Sequence, residues 1–106
     1  MAERGPSQIG YRAFVRDFDH SDGRDGVLYV LATMSFPDGG WTAMIVPQAD
    51  KLDEWRLLVE APPYGDGKRT YVIASGTTEH QMEHVPKVVR VCYGDDTTEV
   101  KVEPWS

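Results

Sequence analysis

Val27-Leu28-Tyr29-Val30-Leu31-Ala32-Thr33-Met34-Ser35-Phe36-Pro37-Asp38-Gly39-Gly40-Trp41-Thr42-Ala43-Met44-Ile45-Val46 is the longest apolar stretch of the chain, and its reading decides the fold. Valine, tyrosine, leucine, threonine, phenylalanine, tryptophan and isoleucine suit a pleated surface, while Pro37-Asp38-Gly39-Gly40 supplies turn chemistry with two glycines free to adopt positive φ. The stretch therefore reads as a β-hairpin. Within it Val27, Tyr29 and Leu31 form one face and Leu28, Val30, Ala32, Met34 and Phe36 the other, and both are apolar. A strand without polar alternation needs cover on both sides, from a second layer, a ligand or another subunit.

Working outward, Ile9 to Phe18 alternates well. Ile9, Tyr11, Ala13 and Val15 oppose Arg12, Phe14 and Arg16, the pattern of a strand with one wet face. Residues 1–8 read as a tail ahead of a single β-rich domain over 9–106. Asp17 to Gly26 reads as a loop from its aspartates and glycines. Pro47 to Pro63 is ambiguous: Ala49, Leu52, Trp55, Leu58 and Val59 fall at helical spacing, while Trp55, Leu57, Val59 and Ala61 fall at period two. The reading adopted is one short helix near residues 48–54, then a strand pairing with Arg69 to Ser75 across the Pro62 to Lys68 loop. Ser75 to His84 loses the alternation. Lys87 to Tyr93 and Thr97 to Glu103 close the chain as a hairpin through Gly94-Asp95-Asp96, with Thr98, Val100 and Val102 facing in. The expected fold is all-β: a small antiparallel β-sandwich or barrel of about seven strands.

Composition narrows the function classes. The chain has 106 residues, 17 acidic and 11 basic side chains and a formal charge of −6, with no lysine or arginine block. Nucleic-acid and anionic-membrane binding both draw on cationic surface and are disfavoured. A lone Cys92 permits no internal disulfide, and no apolar run approaches the roughly 18 residues that span a bilayer. The expected location is cytoplasmic.

Chemistry-bearing residues are few. His80 and His84 in Glu79-His80-Gln81-Met82-Glu83-His84 stand at i and i+4, so a helical turn would aim both imidazoles at one divalent metal ion. Gln81 stands where a zincin carries glutamate, no third ligand is evident, and a polar surface turn ending at Pro86 is the simpler account. Asp17, Asp19 and Asp22 gather carboxylate oxygens of the kind Ca²⁺ takes, yet Asp22 replaces the required EF-hand glycine and Leu28 its bidentate glutamate. Here too an acidic turn is the simpler account. Cys92 within its strand reads as a small buried hydrophobe. No nucleophile elbow, phosphate loop or dinucleotide fingerprint occurs, and no catalytic residue or cofactor is assigned. Trp41, Trp55, Trp105 and Tyr64 are the candidates for an aromatic platform, with Trp55 assigned to the core and Trp41 to a partly exposed strand start.

Two functions from different classes follow. The first is a non-catalytic protein-binding module, most simply a homodimer, presenting Trp41, Leu28, Val30 and Met34 to its partner. The second is a small β-barrel with an internal pocket for an apolar ligand, or one running metal chemistry with His80, His84 or His20.

Overall fold

The computed structural model describes residues 6–20, 23–48, 53–81 and 84–104, with the side chains of all of these except 17–20, 23–25 and 81. The strands are β1 (Ser7–His20), β2 (Gly23–Phe36), β3 (Thr42–Pro47), β4 (Glu54–Glu60), β5 (Thr70–Gln81), β6 (Val88–Tyr93) and β7 (Asp96–Pro104). They form one seven-stranded sheet in the order β3-β4-β6-β7-β1-β2-β5, curled until its two edges, β3 and β5, pack together. The all-β expectation holds, in the form of a nearly closed barrel. It is not purely antiparallel: β1 runs parallel to β7 and β4 parallel to β6. Among the described residues no helix is long and apolar enough to cross a membrane.

The core lies inside the curl, and every strand contributes to it. Leu28, Val30, Ala32, Met34 and Phe36 come from β2, joined by Ala13, Ile45, Trp55, Leu57, Ala74, Val89, Val91 and Val100. Full burial of each larger side chain contributes about 1.5–3 kcal/mol, so β2 is the chief stabilising strand. The barrel closes at Gly76. A Cβ there would lie 2.6 Å from the Ile45 carbonyl oxygen and 2.8 Å from Trp55 Cζ3, so only glycine lets β5 approach β3 and the indole this closely.

Several expectations need correction. The 27–46 stretch is two strands but not a hairpin: β2 lies between β1 and β5, whereas β3 pairs with β4. The cause is length. A strand of 14 residues finds its ladder in β1, also 14, and β5, of 12, and not in the 6 residues of β3. Pro37 to Gly40, with Gly40 at φ +91°, becomes a corner that carries the chain past the place β5 later fills. For the same reason β4 pairs with β3 and β6 and not with β5.

The expected loop at Asp17 to Gly26 is mostly strand, since the β1–β2 ladder runs on to His20 opposite Gly23. β1 also starts within the expected tail, at Ser7. β5 continues through Gln81, where the alternation is carried by polar residues: Thr77 and Glu79 are exposed, Thr78 and His80 half-buried. The short helix near 48–54 falls largely on 49–52, outside the described residues. At its margins Gln48 N–H donates to the Glu54 carbonyl at 2.9 Å, a bond that extends the β3–β4 hairpin, and Glu54 opens β4. The β6–β7 hairpin stands as expected, with Tyr93 opposite Asp96 and Gly94 at φ +60°.

Candidate functional site

Closure of the barrel decides which face of β2 can meet a partner. Leu28 and Val30 are 0% exposed and Met34 3% exposed, all within the core, so the partner surface expected there is overturned. Both faces of this strand are apolar, and the sequence alone does not say which one the sheet wraps around. The face that points outward carries Val27, Tyr29 and Leu31, each half-buried. Trp41 is also half-buried: its ring stacks on Phe36 with centroids 4.8 Å apart, and its Nε1–H donates to Asp38 Oδ1 at 2.6 Å. Trp55 is a core residue, as expected, and Trp105 lies outside the described residues.

Strand register assembles the outer face. Phe14 on β1 stands opposite Tyr29 on β2, which stands opposite Thr77 on β5. One step along, Arg12, Leu31 and Ser75 align; one step the other way, Arg16, Val27 and Glu79 do. The Arg12 guanidinium lies 4.6 Å from the Phe14 ring centroid, a cation–π contact. Beyond Ser75, Ile73 and Tyr71 stand 69% and 72% exposed. The result is a patch of aromatic and aliphatic side chains edged by two arginines and a glutamate. Tyrosine, phenylalanine and arginine are the residue types enriched in protein interfaces. Ile73 and Tyr71 were missed in the sequence, although Thr70-Tyr71-Val72-Ile73-Ala74 shows the same two-faced apolarity as β2.

The metal candidates are placed differently. His80 lies in a strand, so the helical spacing that would have joined it to His84 does not apply to it, and residues 82–83 between them lie outside the described residues. Its Nε2 is 2.7 Å from Thr78 Oγ1, its neighbour on the same face, and burial pushes the imidazole pKa below its ordinary value. Among the described residues no group of three or more histidine, cysteine, aspartate or glutamate side chains converges on one point. The calcium reading of Asp17, Asp19 and Asp22, and any part for His20, rest on side chains outside the described residues. Cys92 is a free thiol, half-exposed and not buried, with Sγ 3.5 Å from Thr97 Oγ1.

Among the described residues, two grooves that open outward stand out. One, of about 370 Å³, runs along the β3–β4 hairpin between Met44 and its cross-strand neighbour Leu58. The other, of about 400 Å³, is a slit between β1 and β7 lined by Ile9, Tyr11, Ala13 and Val100 within and by Arg12, Glu99, Lys101 and Glu103 at the rim. The Tyr11 phenol is held above its ordinary pKa, first by burial and then by Tyr93, Asp96 and Cys92. Positions where a small barrel would hold an apolar ligand are taken by Trp55, Phe36, Leu28 and Val30.

Comparison with protein-family models, with curated proteins and with solved structures finds no match to this chain.

Proposed function

We propose that this chain is a non-catalytic interaction module that pairs with a second copy of itself through the outer face of β1, β2 and β5. The observation that carries the reading is the row Arg16–Val27–Glu79 across the three strands. A two-fold axis lying along β2 sets β1 of one copy over β5 of the other, so that Arg16 faces Glu79 twice while Val27, Tyr29 and Leu31 meet their own counterparts. The face is thus self-complementary in charge at its edges and apolar at its centre, as an isologous interface requires. An apolar patch containing Ile73 and Tyr71 is also costly to leave in water on a monomer.

The test is sedimentation across concentrations up to about 100 μM, where a specific interface of micromolar affinity is well populated. Wild type is expected to dimerise. Arg16→Glu and Glu79→Arg should each weaken the dimer by roughly tenfold, and the double variant should restore it. A wild-type monomer throughout that range, or single reversals without effect on association, overturns the reading.

A further inference from the structure

We propose that the slit between β1 and β7 is a strand-addition site for an extended peptide running parallel to β1, with β-branched apolar residues alternating with charged ones. Among the described residues the parallel register of these two strands is Ala13–Val102, Phe14–Glu103 and Val15–Pro104. Below that point both strands continue, β1 to Ser7 and β7 to Asp96, without pairing with one another among the described residues. In an extended strand every second residue turns its N–H and C=O to the same side, so beyond the end of that ladder both walls turn backbone donors and acceptors toward the slit.

At the far end of the slit the β1–β2 register shifts between Ser7 and Gly10, and Gln8 within that bulge takes φ +55°. A bulge bends its strand and increases its twist, so the start of β1 departs from a regular ladder there.

The slit's chemistry defines its occupant. Its floor is apolar, from Ile9, Ala13 and Val100 with the Tyr11 ring, and its rim mixes Arg12 and Lys101 with Glu99 and Glu103. A volume of about 400 Å³ holds a few residues of extended chain. What β1 accepts next to it is already visible one step further on, where β7 supplies Val102 and Glu103 in parallel. An external strand of the same alternation continues that ladder into the gap, the mode by which sheet edges capture peptides.

The probe is an end-blocked, fluorescent peptide copying Thr97 to Glu103, titrated against the full chain while backbone amide exchange is followed. Binding is expected to slow exchange within residues 9–12 and 98–101. N-methylation of alternate peptide nitrogens along either edge should weaken binding roughly 5- to 10-fold, the worth of one or two backbone hydrogen bonds. Thr98 also lines the slit, so Thr98→Trp, checked for an unchanged melting transition, should block binding, whereas Met44→Ser on the other groove should not. If the peptide fails to bind at about 1 mM, binds equally well when N-methylated, or protects amides elsewhere, the assignment is wrong. Dimerisation through the outer face is read separately by sedimentation, so the two proposals fail independently.

Discussion

Gly76 and Trp55 show how much a single position decides in this barrel. Trp55 is fully buried, and its Nε1–H finds no hydrogen-bond partner among the described residues, so its stabilising contribution is apolar contact. Gly76 makes room for that contact. Gly76→Ala is expected to lower stability by about 1–3 kcal/mol, because its methyl group meets backbone and indole that cannot move aside cheaply. Urea unfolding with an unchanged m-value would show it, and a loss below about 0.5 kcal/mol would mean the seam relaxes more easily than packing implies. His80 offers a second test at this scale. Its pKa is lowered on folding by burial, so the unfolded chain binds this proton more readily. The associated stability is complete above the ordinary histidine value of about 6.5 and declines as pH falls through the lower folded value. His80→Gln keeps a hydrogen-bonding group beside Thr78 without titrating. Melting at about pH 7.5 and about pH 5 should differ less in the variant than in wild type; an equal difference assigns the pH dependence to other groups.

Strands β1 and β2 set the dimensions of the molecule. Each has 14 residues, about 46 Å at 3.3 Å per residue, against a longest molecular extent of 54 Å. The bulge at Gln8 is where β1 departs from regularity. A non-glycine residue at φ +55° carries roughly 1 kcal/mol of strain that glycine lacks. Gln8→Gly is therefore expected to raise the thermal midpoint while leaving the β1–β2 register intact, measured by calorimetry and amide exchange. A lower midpoint would show that the glutamine side chain holds the bulge. The loops between strands are tied in the same economical way: Asp66 Oδ1 accepts from Gly39 N–H at 2.8 Å and Lys68 N–H at 2.9 Å, joining the corner after β2 to the loop before β5. Those two bonds hold the Asp66 carboxyl below its ordinary pKa.

Among the described residues no ladder joins β3 to β5, the two edges of the sheet, so the barrel is closed there by packing. Amides of β3 that point to β4 should exchange slowly, and the alternate ones that point to the seam should exchange faster. Uniform protection along β3 would mean the ladder continues around the barrel. The seam, the slit between β1 and β7 and the outer face of β1, β2 and β5 lie at different places around one wall.

How much of this was legible beforehand follows from what is local. Residue type and alternation identified the strands at Ile9 to Phe18, Val27 to Phe36, Lys87 to Tyr93 and Thr97 to Glu103, the Gly94 turn, and Trp55 as core, because β propensity, side-chain parity and glycine geometry act within a few residues. Pairing was not legible: Pro37 to Gly40 has hairpin chemistry, yet β5 stands between β2 and β3 because long strands find long partners far away in sequence. Nor was the candidate site. Val27, Tyr29 and Leu31 are as apolar as Leu28, Val30 and Met34, and only the direction in which the sheet curls sends one set inside and leaves the other outside. The sequence determined that this chain is built of strands too apolar for a single open sheet. The tertiary structure alone decided which strands meet and which apolar face the barrel leaves on its outside.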